Sequence, residues 1–231
     1  MEHDKGSLRP IYTSAAAATV AMLIIIPLQI IVFAFFPMPD STEAWFTLMT
    51  GKPLVGMFHA DFFLMVNNAL IVLIYLAFYH SLKKSGKGLL QIAIVLGLIG
   101  ITSYIASNKT FELFSLAGEY EAALSGDEKL VLLAAGKAML SGWQGTSFDV
   151  YYVLNGIALL IFSYVMLRDG TSGNTVYGKT TAIIGLVSGF LMSIPSTAGT
   201  VGLIFSLLSL IPWYVFAIRF CGVFLRLRKE A

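Results

Sequence analysis

Apolar positions run nearly unbroken along most of this chain, and short polar breaks divide them into six stretches: 11-36, 54-80, 88-107, 148-167, 178-194 and 201-224. Each is close to the roughly 20 residues a helix needs to cross a bilayer. A helix satisfies all of its own backbone groups in hydrocarbon, so the pattern predicts an all-α fold. The expectation is an integral membrane helical bundle of one domain, 1-231, with six transmembrane helices and both termini on the same side. Pro27 falls inside the first span and predicts a kink there, because proline removes one backbone hydrogen bond. Gly185 and Gly189 form a small-xxx-small pair on span five that lets a neighbouring helix approach closely.

One stretch departs from the apolar rule. From Tyr104 to Glu121 the helical period continues, but Tyr104, Asn108, Glu112, Ser115 and Glu119 follow at steps of three and four, which places them in one polar stripe. The segment 108-142 is therefore expected to leave the bilayer and to form an outer amphipathic helical cover between spans three and four. Within it Asp127 is a natural N-cap for a short helix to Ser141, with Leu130, Leu133, Ala134 and Lys137 at helical spacing. Pro37 to Pro53 reads as a loop with Trp45 at the interface, Gly142 to Thr146 as a turn, and Pro195 to Thr200 as a tight hairpin.

Composition adds that no soluble surface can be made from this chain: of its 231 residues 57% are hydrophobic and 12% charged, with a mean hydropathy of +0.81. Its net charge of +2 is too small to imply a nucleic-acid partner. The placement of charge is more informative. All of the 15 Lys and Arg except Lys52, Lys109, Lys129 and Lys137 fall on the side of the termini. Positive loops stay inside, so both termini are expected in the cytoplasm and the longest connection outside the cytoplasmic membrane.

Polar side chains within spans are costly in hydrocarbon and mark a partner or a cavity. Asp61 and Asn68 share a face of span two, and Asp149, Tyr152 and Asn155 recur on span four. With Asn108, Glu112 and Glu119 above them, they outline an outward-facing pocket walled by spans two, three and four. The plainer reading pairs Asp61 with Lys109 or Lys137 and uses the asparagines as interhelical hydrogen bonds. With three histidines, His3, His59 and His80, divided between the two faces, neither a metal site nor a haem pair is expected, and no cofactor is implied. Cys221 has no disulfide partner. Asn108-Lys109-Thr110 fits a glycosylation acceptor pattern.

The succession NKTFELFSLAGEYEAAL, LLAAGKAML, GTSFDVYYVLNGIALLIFSYVMLR and PWYVFAIRF resembles a widespread family of small bacterial and archaeal membrane proteins classed as a domain of unknown function. The resemblance implies a six-span bundle in the cytoplasmic membrane and brings no catalytic assignment with it. Three functions fit the pattern. The first is a non-enzymatic protein whose outer pocket binds a small molecule or lipid, as a sensor or as an accessory to a membrane-protein partner or to further copies of itself. The others are a secondary transporter, and an enzyme acting on lipid head groups through Glu112, Asp61 and His59. The acidic outer face above short cytoplasmic loops favours the first.

Overall fold

The structure, a computed structural model, describes residues 5–143, 145–171, 176–194 and 200–231. The described residues are helical, with no strand among them: α1 (Lys5–Phe35), α2 (Thr42–Gly51), α3 (Pro53–His59), α4 (Phe62–Ser107), α5 (Thr110–Ala122), α6 (Gly126–Trp143), α7 (Thr146–Thr171), α8 (Lys179–Met192) and α9 (Thr200–Glu230). Four helical stretches, Leu8–Phe35, Phe62–Ala122, Gly126–Asp169 and Leu207–Glu230, are long and apolar enough to cross a membrane, and Lys179–Met192 is a shorter apolar helix. Large apolar side chains such as Ile24, Val95, Phe190, Ile211 and Ile218 stand more than half exposed. So extended an apolar surface suits lipid rather than water.

The helix α4 is a hairpin. Its 46 residues break at Gly86, where φ is −176° and ψ is 51°. A Cβ at Gly97 would collide with the ring of Tyr75, whereas on a straight helix those positions would stand about 33 Å apart. The two arms, 62–85 and 87–107, therefore lie side by side. Gly86 itself meets Val165 of α7, where a Cβ would come within 3.0 Å of the valine side chain. At the open end, Asn108 Nδ2 and Thr110 Oγ1 donate to the carbonyl of Ala60 at 2.8 and 3.0 Å. Asn108 Oδ1 accepts from the Thr110 N–H. One buried asparagine thus closes the hairpin and starts α5, which leaves it inaccessible as a glycosylation acceptor.

Helix α7 packs against both arms and against α8. A Cβ on Gly189 would lie 3.0 Å from the Gly156 carbonyl oxygen, and one on Gly156 would lie 2.9 Å from that of Gly189. The backbones touch because neither residue has a side chain, which is the approach that the glycine pair on span five predicts. Helix α1 closes the other side against α4 and α9. Pro27 cannot donate to the Leu23 carbonyl one turn earlier, and the Tyr214 hydroxyl of α9 donates to it instead, at 2.7 Å. Tyr214 itself follows Pro212, the proline inside α9.

The outer side differs from expectation in several places. The segment 37–53 is not a loop: Ser41 caps α2 through a 3.1 Å bond to Ala44 N–H, and Trp45, Phe46 and Met49 are buried in a second apolar cluster with Leu113, Ala117 and Trp143. The second span does not begin at Leu54, because α3 ends at His59 and the chain turns at Ala60 and Asp61. Ser125 rather than Asp127 accepts from the first turn of α6, at Glu128 N–H. The inward face of α6 runs through Leu132, Leu133, Gly136, Met139, Leu140 and Trp143, while Leu130 is two-thirds exposed. The helix presents this face because Gly136 seats flush against Phe46 and Thr42. The turn at 142–146 and the hairpin at 195–200 include positions outside the described residues, as does His3.

Candidate functional site

Between α1, the first arm of α4, α7, α8 and α9 lies a cavity of about 530 Å³. The first arm of α4 lines it with one helical stripe, Asp61, Leu64, Asn68, Ile71, Tyr75 and Phe78, at steps of three, four, three, four and three. Asn67 joins the stripe beside Asn68. The second arm supplies no lining residue. It backs the wall instead, since Gly97 leaves room for the Tyr75 ring and Gly100 for the Asn155 amide.

A polar network ties α4 to α7 along this wall. The Tyr75 hydroxyl donates to Asn155 Oδ1 at 2.6 Å, and Asn155 Nδ2 donates to the Tyr151 carbonyl at 3.0 Å. The Tyr151 hydroxyl donates to Asn68 Oδ1 at 2.7 Å, an atom that also accepts from Asn67 Nδ2. Each of these side chains is buried. Their bonds are sequestered from water, and losing one would strand its partner at a cost of about 1–3 kcal/mol.

Asp61 sits at the outer end of the stripe. Its φ of 58° places it in the left-handed region, which aspartate tolerates better than most residues. In that conformation the carboxylate makes no capping bond to the first turn of α4. It turns into the cavity, where Gln29 Nε2 of α1 donates to Oδ1 at 2.8 Å. The Tyr104 hydroxyl lies beside the carboxylate without completing a hydrogen bond. Among the described residues that line the cavity none is basic, and Asp61 is the one charged side chain. Gln29 Oε1, Asn67 Oδ1 and Asn68 Nδ2 are buried and make no hydrogen bond.

The remaining wall is apolar: Ile26 and Ile30 of α1, Leu159 of α7, Met192 of α8, and Leu207 and Trp213 of α9 are representative. Ile30 and Leu207 line the cavity while 54% and 58% exposed. Ile30 and Leu207 thus form an accessible apolar rim of the cavity, one on α1 and one on α9. Phe33, Met38 and Trp143 complete the outer end.

Of the residues singled out from the sequence, the fold brings Asp61, Asn68, Tyr152 and Asn155 together on the cavity wall. Asn108 is the hairpin latch described above. Asp149 is buried but does not line the cavity. Glu112 is nearly half exposed and pairs with Lys109 at 3.6 Å, and the exposed Glu119 accepts from Ser115. The polar stripe divides because the backbone turns extended at Asn108, with φ −64° and ψ 131°. Tyr104 and Asn108 then point inward, whereas Glu112, Ser115 and Glu119 occupy the solvent face of α5. Lys109 is thus committed to Glu112, and the partner of Asp61 is Gln29 rather than a lysine. His59 is stacked on Phe33 and edge-on to Trp45, so it does not join Asp61 and Glu112 in one site.

Gln29, Asn67, Tyr75 and Tyr151 were not apparent as site residues from spacing alone. Gln29 carried a readable signal, being the strongest polar interruption of the first span. The tyrosines carried none, since tyrosine is ordinary in an apolar helix. Comparison with protein-family models, characterised proteins and solved structures finds no match to this chain.

Proposed function

We propose that this chain is a six-span protein of the cytoplasmic membrane, with both termini in the cytoplasm, that binds an amphiphilic small molecule or lipid in the cavity between α1, α4, α7, α8 and α9. The count of six takes each arm of α4 as one crossing, together with α1, α7, α8 and α9. The observation that carries the binding reading is the cavity itself. At about 530 Å³ it falls within the range of small-molecule sites. Its wall is polar along α4 and α7 and apolar elsewhere, the distribution that an amphiphile needs. The exposed apolar rim at Ile30 and Leu207 supports entry from the lipid side. The bound state would serve as a signal or as an accessory to a membrane partner.

The test is a saturable quench. Trp143 and Trp213 line the cavity, so 11-bromoundecanol titrated into protein in phosphatidylcholine nanodiscs is expected to quench their fluorescence to a plateau. Ile71→Trp, which fills the cavity from α4, is expected to abolish any ligand mass retained by the purified protein in native mass spectrometry. A linear, unsaturable quench with no retained mass in the parent protein would remove the binding reading.

One observation favours transport as a second reading. Prolines 27 and 212 lie inside α1 and α9, the two helices that carry the exposed rim, and each removes a helical hydrogen bond beside the cavity, a local weakness that transporters exploit at intramembrane sites. Proteoliposome flux of the bound molecule that responds to Asn155→Ala would separate transport from binding.

A further inference from the structure

We infer that the molecule taken by this cavity is a cation, an amphiphile with an ammonium head, and that Asp61 is its counter-ion. The inference rests on the binding reading and names the chemical class of the ligand.

The argument begins with an imbalance. A carboxylate taken out of water needs a basic partner or several donors, since its burial otherwise costs several kcal/mol. Asp61 is 7% exposed, and among the described residues lining the cavity none is a lysine, arginine or histidine. Lys109, at the open end of the hairpin, pairs with Glu112, and His59, two residues before Asp61, stacks on Phe33. What Asp61 does have is one neutral amide, Gln29, and a tyrosine hydroxyl nearby.

The orientation of Gln29 sharpens the point. A carboxylate can only accept, so Gln29 must turn its N–H toward Asp61, and its Oε1 is left as a buried acceptor with no donor. Next to a carboxylate there is therefore an unpaired oxygen. Asn67 Oδ1 is another, about two helical turns further along the wall. An anionic ligand would meet acceptors at this end of the cavity, and a neutral alcohol could satisfy one of them. An ammonium group brings a positive charge and up to three N–H donors. Of these three it is the one that matches Asp61 and Gln29 Oε1 together, and its charge offsets that of the carboxylate. The hydrocarbon part would lie against Ile26, Ile30, Leu159 and Leu207. The left-handed backbone at Asp61 fits this role: it forgoes the usual capping bond and holds the carboxylate toward the ligand.

Displacement of 11-bromoundecanol from the cavity tests the inference in neutral phosphatidylcholine nanodiscs, with dodecylammonium, dodecanol and laurate as competitors of equal chain length. Dodecylammonium is expected to displace the probe at concentrations about tenfold below dodecanol, the value of one charge-assisted hydrogen bond over a neutral one, with laurate weakest. In Asp61→Asn, which keeps the tolerance for a left-handed backbone, that preference should vanish while dodecanol competes as before. Gln29→Leu provides an independent arm should Asp61→Asn fail to fold. It removes the Oε1 acceptor but keeps the charge of Asp61, so the preference for dodecylammonium should shrink and still persist. Equal competition by dodecanol in the parent protein, an unchanged order in Asp61→Asn, or loss of preference in Gln29→Leu would each overturn the cation assignment and leave the binding reading standing. Failure of every competitor and of the probe would remove both.

Discussion

Asn155 holds its place through two bonds that run in opposite directions, accepting from Tyr75 and donating to the Tyr151 carbonyl. The hydroxyl of Tyr75 has no water to turn to if the asparagine is cut back. Asn155→Ala is expected to destabilise the protein by about 1–3 kcal/mol, the penalty for a stranded buried donor. Tyr75→Phe should cost less, about 1 kcal/mol, because a carbonyl oxygen tolerates a missing partner better than a hydroxyl tolerates a missing acceptor. The double variant should cost less than the two single losses added together, since nothing is then left unpaired. Thermal unfolding of the four proteins in one detergent checks this. Asn155 and Asn68 were legible in the sequence because an amide in an apolar span stands out. Gln29 is also an amide in an apolar span but was not singled out: its partner lies 32 positions away, and no spacing rule links α1 to the turn before α4.

The proline inside α1 shows how one helix completes another. Pro27 frees the Leu23 carbonyl, and Tyr214 of α9 takes it up. Tyr214→Phe should therefore destabilise the protein by about 1 kcal/mol. In a Pro27→Ala background the carbonyl regains its helical N–H partner, and the same tyrosine change should then cost little. A double-mutant cycle read by thermal unfolding would show the coupling, and additive effects would contradict it. The lost helical donor was predictable from the proline. Its replacement was not, because a tyrosine near the C-terminus carries no mark of the carbonyl it will meet. The same holds for α4, where the lysine-rich connector SLKKSGK signals a break but not which faces of the two arms meet. Gly97 and Gly100 decide that by admitting Tyr75 and Asn155.

Taken together, the helices give a molecule with an acidic cap on one side and most of its basic residues on the other. Orientation can be read by labelling in a Cys221→Ala background with a membrane-impermeant maleimide. Leu124→Cys, at a position fully exposed beyond α5, should label in intact cells. Lys84→Cys, exposed near the hairpin turn, should label only after lysis. The reverse pattern would invert the proposed topology. Much of this large-scale order follows from composition. A chain this apolar has to satisfy its backbone internally, which makes it helical, and its polar breaks set where the helices turn. Spacing along one helix also fixes which residues share a face, and so Asp61 and Asn68 could be placed on one wall in advance. Which walls face each other is a different matter. The acidic residues of α5 swing out to solvent because the chain turns at Asn108, and α1, α8 and α9 close the cavity in place of the second arm of α4. Those outcomes depend on long-range contacts, glycine against ring and the Leu23 carbonyl against Tyr214, whose partners lie far apart in the chain and leave no periodic trace in it.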